Sequence, residues 1–446
     1  MGKNLLGSAD IGSSRIGAAM EIHDVFGIRP ELSDHSYVDR GELDEIFGRL
    51  IRRKQQHIAI RGASKSGKSW LRQKVLNNPI IVQCRWGYDV NNIYTDALAR
   101  LDIELTVEKT TGRGFSGSVK ATGEAGFKLI AKVCGELEVE GEFSQEIVRQ
   151  SVGKDIKDLE FVATLIRESG RTLVIEDFHY MGVEEQRKFA FDLKTLWDYR
   201  TLVVVVGVWT SENMLISLNT DLADRIQEIK ISWSKNDLKS VLAKGCGNLN
   251  FRLKDSNAEK LAVNSYESVG LLQSLALRFL EDELKLDSAA PRGEELLIDD
   301  LAAIDAAAMH VADQLNEVYQ TFAKRVCEGI RTRQNATGIY AHAMAAVMES
   351  SEDELNSGVS ARKIHEVAHA RESRIVLGNL KRALVKFPEL QVDEDGRGLV
   401  LAYDSRNEMV SVVDKRLLLY RKYLTVKWPW EDLIAEVSSK AQAFEE

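Results

Sequence analysis

The chain has 446 residues, of which 28% are charged, and its formal net charge is −9 at pH 7. This length exceeds what a single hydrophobic core usually organises, so we expect two or three domains. The negative balance excludes a general electrostatic attraction to nucleic acid, and the longest uncharged apolar run, residues 202–209, is too short to span a bilayer.

The chain opens with an arm, residues 1–34, that begins Gly- and Ser-rich and has weak hydrophobic periodicity. An amphipathic helix is predicted next, since Leu43, Ile46, Phe47 and Leu50 recur at helical spacing. A short apolar segment after this helix predicts a buried strand.

The stretch from Gly62 to Ser69 follows that strand and matches G-x-x-x-x-G-K-[ST], the pattern of a phosphate-binding loop. In such a loop the backbone N–H groups surround an anion, Lys68 reaches the β- and γ-phosphates, and Ser69 is a ligand of Mg²⁺. We therefore predict that ATP and Mg²⁺ bind here. The predicted contacts are Gly62, Ala63, Ser64, Lys65, Ser66, Gly67, Lys68, Ser69 and Trp70.

Beyond the loop, residues 80–84 predict a second strand and residues 91–103 predict its helix. The stretch 106–143 interrupts this alternation with many glycines and alternating small, polar and apolar residues, which indicates an inserted β-ribbon. Such a ribbon is either a plain edge hairpin or a contact with a partner subunit or nucleic acid.

An apolar strand over residues 171–177 ends in two carboxylates, Glu176 and Asp177. Parallel strands bring their carboxyl ends to one edge of a sheet, so these acids are expected beside the phosphate-binding loop. Hydrolysis needs one acid for the metal shell and one for the attacking water. By position Glu176 serves the metal and Asp177 serves the water, although the side-chain lengths also allow exchanged roles.

The next apolar strand, residues 201–209, is followed by Thr210 and Ser211, and Arg225 precedes the last predicted strand of the sheet. Together with the loop and the two acids, these features resemble AAA+ and STAND ATPases of the origin-recognition and transposition-helper kind. The resemblance implies that Thr210 or Ser211 senses the γ-phosphate. It also implies that Arg225 reaches the nucleotide of a neighbouring subunit.

Two features qualify this resemblance. An intrachain ion pair with Asp221 or Asp224 is the alternative role for Arg225. At the position of the family's lid arginine the chain has Gln273. That departure favours a STAND-like switch that holds its nucleotide for long periods.

The last part of the chain resembles a winged helix, in which three helices are followed by a hairpin. Basic side chains of the third helix, Arg374, Lys381 and Arg382, would then contact DNA phosphates, with Arg362 and Lys363 beside them. The hairpin tip carries the acidic residues 393–395, which would repel a phosphate backbone. Binding of DNA and docking of a protein therefore remain alternatives.

The expected fold class is α/β, with a P-loop NTPase core made of a parallel sheet, flanking helices and an inserted ribbon. The expected domains are the arm at 1–34, the core at 35–235, a helical lid at 236–290, a linker with a bridging helix at 291–334 and a winged-helix-like domain at 335–446.

The resemblance implies an ATP-hydrolysing switch that assembles into a homo-oligomer and acts on DNA or on a DNA-bound protein. The alternative is a nucleotide-locked regulator of a bacterial defence or signalling system. It would need a separate effector protein, since the sequence shows no nuclease, protease or TIR-like constellation. In both cases the reaction is hydrolysis of ATP to ADP and phosphate, fast or slow.

The four cysteines are Cys84, Cys134, Cys246 and Cys327. Their spacing fits neither a disulfide framework nor a zinc site, so we expect free thiols in a reducing compartment. The N-terminal residues lack the apolar core of a signal peptide. The sequence therefore predicts a cytoplasmic protein with no membrane partner.

Overall fold

A computed structural model of the chain describes residues 19–109, 115–134, 149–150, 159–209, 211–291, 293–329, 337–391 and 399–435. Within these ranges the fold class is α/β, as predicted, with a five-stranded parallel sheet, three smaller sheets and many helices. None of the helices in this part of the chain combines the length and apolarity needed to cross a membrane.

The large sheet and its helices occupy the first half of the chain. The helices are α1 Ile22–Phe26, α2 Leu43–Arg53, α3 Lys68–Val75, α4 Val90–Ala99, α5 Glu124–Cys134, α6 Leu159–Glu168, α7 Val183–Asp198 and α8 Met214–Leu218. The strands are β1 His57–Gly62, β2 Ile80–Gln83, β3 Ile103–Lys109, β4 Phe115–Ala121, β5 Arg149–Gln150, β6 Leu173–Glu176, β7 Val203–Gly207 and β8 Ile226–Ile231.

The second half is mostly helical. Its helices are α9 Lys235–Asn248, α10 Asp255–Asn264, α11 Val269–Leu277, α12 Leu301–Gln314, α13 Asn316–Glu328, α14 Ile339–Met348, α15 Glu352–Ser357, α16 Ala361–Arg371, α17 Leu377–Gln391 and α18 Arg416–Tyr423. Its strands are β9 Phe251–Leu253, β10 Leu296–Ile298, β11 Val359–Ser360, β12 Leu401–Asp404 and β13 Met409–Val412. We call α9 to α11 the lid and α14 to α18 the C-terminal unit.

The five strands of the large sheet lie in the order β2-β6-β7-β1-β8, and all neighbouring pairs are parallel. Every residue of β6 and β7 is buried, which is why both strands read as continuous apolar runs. The register places the carboxyl ends of the strands at one edge: Ile60 of β1 pairs with Val206 and Ile229, and Gln83 pairs with Glu176. We call this edge the carboxyl edge of the sheet.

The predicted insertion begins as a hairpin in which β3 and β4 pair antiparallel. It then continues as helix α5, where the sequence predicted more ribbon. Leu129, Ile130 and Val133 recur at helical spacing and pack against the core, which explains the helix. The rest of the predicted insertion, residues 110–114 and 135–143, lies outside the described residues.

Two further segments differ from their predicted form. Ile22, Val25 and Phe26, within the predicted arm, form α1 and are buried in the same apolar cluster as the lid. The predicted single bridging helix is two helices, α12 and α13, that meet at Leu315. The largest apolar cluster among the described residues therefore joins α1, the lid, α12, α13 and the C-terminal unit.

The described part of the C-terminal unit contains five helices and a three-stranded antiparallel sheet in the order β11-β13-β12, in which β11 precedes α16 and the other two strands follow α17. Its hairpin lies later than predicted, because α17 continues to Gln391 and the paired strands are β12 and β13. The predicted acidic tip, Asp393, Glu394 and Asp395, lies outside the described residues. The winged-helix assignment stays a prediction.

Candidate phosphate-binding site

The predicted phosphate-binding loop connects β1 to α3 at the carboxyl edge. Gly67 has a φ of 86°, a left-handed conformation that favours glycine. At Gly62 a Cβ would lie 2.7 Å from Ser66 Oγ and 2.8 Å from the carbonyl oxygen of Ile231, so a larger residue does not fit. Glycine at both positions lets the loop curl tightly into the N-terminus of α3.

Lys68 folds its side chain back over this loop. Its Nζ donates to the carbonyl oxygens of Ala63 at 2.7 Å and Gly62 at 3.2 Å. Burial lowers the pKa of the Lys68 ammonium to about 8, while the carboxylates of Asp177 and Glu176 act in the opposite direction. The ammonium is thus held at the loop, where it can face a phosphate group.

Glu176 lies at the end of β6 and accepts two hydrogen bonds from α3. Ser69 Oγ donates to Glu176 Oε2 at 3.1 Å, and Arg72 Nε donates to Glu176 Oε1 at 2.5 Å. The Arg72 and Glu176 side chains are each only 11% exposed, so this is a buried ion pair. Arg72 was not predicted as a site residue, although it follows Ser69 by three positions and therefore shares its helix face.

Asp177 has a left-handed backbone with a φ of 55° and faces the same cavity as Lys68 and Ser69. Its Oδ2 accepts a hydrogen bond from Gln83 Nε2 at 3.0 Å. The structure therefore separates the two acids: Glu176 contacts Ser69 and Arg72, and Asp177 contacts β2. This separation is compatible with the predicted division of roles, which stays a prediction.

His179 is a further titratable group at the carboxyl edge. Burial lowers the pKa of its imidazole to about 4, so the ring is neutral at pH 7. Its Nδ1 accepts the backbone N–H of Val208 at 3.3 Å, which leaves the ring proton on Nε2. His179 thereby ties the segment after β6 to the end of β7.

A cavity of about 290 Å³ opens above the loop. Its walls come from the loop, the carboxyl edge, the lid and the segment after α1. The lining residues are Ile28, Arg29, Ser64, Lys65, Ser66, Gly67, Lys68, Ser69, Trp70, Asp177, His179, Tyr180, Val208, Val269, Gly270 and Gln273. Seven of the nine predicted loop residues thus line the cavity, and Gly62 and Ala63 lie behind it as acceptors for Lys68.

The lid contacts the loop directly through the first turn of α11. The backbone N–H of Gly270 donates to the carbonyl oxygen of Lys65 at 3.2 Å. Gln273, where the sequence resemblance would place a lid arginine, is buried, and its Nε2 donates to Ser36 Oγ at 3.2 Å. The lid therefore presents a neutral amide to the cavity at this position.

Two residues that were not predicted support the loop from behind. Trp233 Nε1 donates to the carbonyl oxygen of Ser66 at 2.9 Å. The guanidinium of Arg40 stacks on the Trp233 ring at 3.8 Å from its centroid and donates to the same carbonyl at 3.5 Å. This stacked pair fixes the middle of the loop, and only the tertiary fold brings its members together.

The predicted γ-phosphate sensors follow β7. Thr210 lies outside the described residues. Ser211 is described, but it does not line the cavity, and its Oγ donates to Asp404 Oδ2 of the C-terminal unit at 2.6 Å. Its role as a sensor stays a prediction.

Arg225 lies at the opposite edge of the sheet from the loop. Its carbonyl oxygen accepts the N–H of His57 at 2.8 Å. His57 and Gly62 are the two ends of β1, five steps apart along a strand that rises about 3.3 Å per residue. The guanidinium lies 4.9 Å from the centroid of the Trp197 ring and donates to the carbonyl oxygen of Asp221. Arg225 therefore cannot reach the loop of its own chain.

The oxygens of Ser69 and Glu176 are a donor set that fits Mg²⁺, which binds carboxylate, hydroxyl and phosphate oxygens and keeps several waters. Among the described residues no group of three or more His, Cys, Asp or Glu side chains converges on one point. The site therefore suits a metal ion shared with a phosphate rather than one enclosed by protein alone.

The parallel sheet, the glycine-rich loop, the start of α3 at Lys68 and the acidic end of β6 together define the fold of a P-loop NTPase core. Sequence comparison finds no matching protein family and no matching curated protein.

Three solved structures are similar to this chain. The Orc1 protein of Aeropyrum pernix in complex with DNA has 12% identity and a TM-score of 0.38, over 93% of this chain and 96% of that one. A STAND protein with a tetratricopeptide repeat sensor from Pyrococcus horikoshii has 13% identity and a TM-score of 0.34, over 90% of this chain and 44% of that one. A RuvB variant of Thermotoga maritima has 11% identity and a TM-score of 0.33, over 87% of this chain and 96% of that one. These low scores describe a loose likeness, so the class rests on the sheet and the loop.

Proposed function

We propose that this protein is an ATPase of the AAA+ or STAND kind, which binds ATP with Mg²⁺ in the cavity above the loop and hydrolyses it to ADP and phosphate. The observation that carries the proposal is the convergence of Lys68, Ser69 and Asp177 on one cavity, with Glu176 hydrogen-bonded to Ser69. These are the side chains that phosphoryl transfer requires.

Each residue has a distinct part in this mechanism. Lys68 supplies a positive charge for the β- and γ-phosphates, and the N–H groups of the loop surround them. Ser69 and Glu176 would hold Mg²⁺, which neutralises charge on the phosphate oxygens. Asp177 lines the same cavity, where it can orient a water molecule for in-line attack.

Three observations support slow turnover with retained nucleotide. Arg72 already pairs with the carboxylate proposed for the metal, and α11 contacts the loop through Gly270. The absence of a lid cation at Gln273 removes a group that would stabilise charge in the transition state. A nucleotide-held switch is therefore the form of the activity that these contacts favour.

Arg225 supports assembly into a homo-oligomer. Because it lies at the edge of the sheet opposite its own loop, it can contribute to hydrolysis only at the cavity of another copy of the chain. We propose such a shared site, with DNA or a DNA-bound protein as the target of the assembly. In the alternative, the assembly is a regulator in bacterial defence or signalling and works through a separate effector protein.

The C-terminal unit favours protein docking over DNA binding. Three of its predicted DNA-contacting cations form ion pairs with acids of the same unit: Arg374 with Glu372, Lys381 with Glu408, and Lys363 with Glu354. Arg362 and Arg382 have no carboxylate partner in the described part of the unit. The basic surface that remains is small.

Cytoplasmic localisation is also proposed. Cys84, Cys246 and Cys327 are buried free thiols, which supports a reducing compartment. Burial raises the pKa of the thiols of Cys84 and Cys246 to about 12, so both stay protonated and unreactive.

The test is calorimetric titration with ATP and Mg²⁺, followed by an assay of released phosphate. Lys68→Ala is expected to lose measurable ATP binding while keeping its fold, and Asp177→Asn to bind ATP but hydrolyse it at least about tenfold more slowly. Lys74→Ala, on the exposed side of α3, is the control and should behave as the parent. ATP affinity in Lys68→Ala equal to that of the parent would refute the site.

A further inference from the structure

The edge of the large sheet opposite the cavity carries a row of cations. Arg171 precedes β6, Arg200 precedes β7, Lys54 precedes β1 and Arg225 precedes β8. These four strands are consecutive neighbours in the sheet, and neighbouring strands lie about 4.8 Å apart. The row therefore extends over about 15 Å, although its members are far apart in the sequence.

Two adjoining cavities lie along this edge and share Arg171 in their walls. One has a volume of about 80 Å³ and the other about 450 Å³. We call their combined surface the basic groove, defined by the cations that line it: Lys54, Arg100, Lys128, Lys132, Arg167, Arg171 and Arg200. Among the described residues, Asp102 is the one carboxylate that lines either cavity.

Several of these charges are uncompensated. In the described part of the chain, the exposed side chains of Lys54, Arg100 and Arg200 have no carboxylate partner. Arg171 donates to three backbone carbonyl oxygens, those of Asn78, Pro79 and Arg100, at 2.8 to 3.0 Å. Its guanidinium is therefore held rigidly in the groove while its charge remains unpaired.

The remaining three cations form exposed ion pairs with acids outside the lining. Lys128 pairs with Glu124, and both Lys132 and Arg167 pair with Glu168. These three cations therefore contribute less to the groove than Lys54, Arg100, Arg171 and Arg200, which have no carboxylate partner in the described part of the chain.

A structural explanation accounts for part of this pattern. Helices α2, α4, α6 and α7 end at this edge, and a cation near a helix C-terminus is stabilised by about 0.3–1 kcal/mol. That effect explains single cations, but it does not explain the scarcity of acids. The whole chain has 68 acidic and 59 basic residues, whereas the groove has seven basic residues and one acidic residue.

We propose that the basic groove binds the phosphate backbone of a nucleic acid without reading its sequence. Regularly spaced phosphates match a row of cations, and neutralising them releases counterions. An acidic protein is less suitable, because protein interfaces usually centre on aromatic anchors and none of the described residues that line either cavity is aromatic. This inference rests on the proposed function in one respect: the proposed target of the protein is DNA or a DNA-bound protein, and nucleic acid is the partner assigned to the groove.

The test is binding of fluorescent duplex DNA of about 30 base pairs, followed by anisotropy between about 50 and 200 mM salt. The groove variant carries Lys54→Glu, Arg100→Glu and Arg200→Glu. The control carries Lys235→Glu, Arg252→Glu and Lys285→Glu, which change net charge equally at exposed positions after β8, around the lid. The groove variant changes two residues with left-handed backbones, Lys54 and Arg200, and the control changes one, Lys285, so the stability of both variants is measured beside DNA binding.

The groove variant is expected to lose at least about tenfold in affinity, and the slope of log K against log salt should flatten by about two to three. The control is expected to keep both values. Equal DNA affinity in the two variants, or no binding by the parent at low salt, would overturn the proposal. Tighter binding of polyglutamate than of DNA would overturn it as well and assign the groove to an acidic protein.

ATP binding separates this inference from the proposed function. The groove lies away from the cavity, so the groove variant should bind ATP as the parent does. A parent that binds DNA through the groove but not ATP refutes the ATPase alone. A parent that binds ATP but not DNA refutes the groove alone.

Discussion

Ser211 Oγ donates a 2.6 Å hydrogen bond to Asp404 Oδ2, which joins the segment after β7 to the hairpin of the C-terminal unit. Arg406 strengthens the junction by donating to the carbonyl oxygen of Ser217 at 3.0 Å. One of the two hydroxyls predicted to sense the γ-phosphate is therefore engaged by another part of the chain. Ser211 is available to a phosphate once its hydrogen bond to Asp404 is broken.

Asp404→Ala should release Ser211 and raise the rate of ATP hydrolysis severalfold, with little change in ATP affinity. The physical reason is that Ser211 can turn to the carboxyl edge once its acceptor is gone. Steady-state phosphate release measures the effect. Glu408→Ala, which removes the acid paired with Lys381 in the same hairpin, is the control and should leave turnover unchanged. A turnover that is unchanged or lower in Asp404→Ala contradicts the prediction.

Arg72→Gln should lower the Mg²⁺ concentration needed for half-maximal ATP hydrolysis. Glutamine can still donate to Glu176, but it removes the positive charge that competes with a divalent cation. Breaking a buried pair is also expected to cost up to about 3–5 kcal/mol of stability, so the titration belongs well below the unfolding temperature.

Lys74→Gln is the matched control for Arg72→Gln. It lies on the same helix and pairs with Asp34, but that pair is exposed and contributes about 0–1 kcal/mol. Its Mg²⁺ dependence should equal that of the parent. An increased Mg²⁺ requirement in Arg72→Gln would show that Arg72 orients Glu176 for the metal rather than competing with it.

Arg225→Ala should lower hydrolysis by about 10³- to 10⁵-fold, the range for arginines supplied by a neighbouring protein, while ATP binding stays nearly unchanged. Hydrolysis by the parent should also rise with protein concentration as copies associate. Contact of Arg225 with Trp197 and Asp221 within the chain makes a stability measurement necessary beside the assay.

Mixing gives the sharper experiment on Arg225. An Arg225→Ala copy can receive an arginine from its neighbour, and a Lys68→Ala copy can supply one. The mixture should therefore recover activity that neither variant has alone. A mixture that stays inactive although both variants assemble together would leave Arg225 as a structural residue.

Stability of the core should fall between pH 6.5 and pH 4. Burial lowers the pKa of His57 and of His179 to about 4 in the folded protein, against 6.5 when the chain is unfolded. Because the unfolded chain binds more protons in that window, its stability relative to the folded state increases as pH falls. Each group can contribute up to about 3 kcal/mol.

Urea unfolding at pH 7, 6 and 5 measures this effect. His57→Gln should weaken the pH dependence, since an amide can keep the bonds to Leu193 and Val203 without titrating. A parent whose unfolding midpoint is constant across the window would contradict the assignment of a neutral buried ring.

The sequence by itself determined the local elements of this protein. Glycines and a lysine at fixed spacing define the loop from Gly62 to Ser69, because the conformation of a short loop depends on adjacent residues. Apolar runs define strands such as β6 and β7, because burial of both faces requires consecutive apolar residues. Glu176 and Asp177 could be placed at the carboxyl edge for the same reason, since every parallel strand ends there.

The tertiary structure decided which distant residues meet. Arg72 with Glu176, Ser211 with Asp404, and Trp233 with Arg40 come from segments that sequence patterns leave independent. The basic groove exists because the chain orders its strands β2-β6-β7-β1-β8, which brings Arg171, Arg200 and Lys54 from the segments before β6, β7 and β1 to one edge. Local periodicity carries no information on strand order, since that order depends on how helices pack across the sheet.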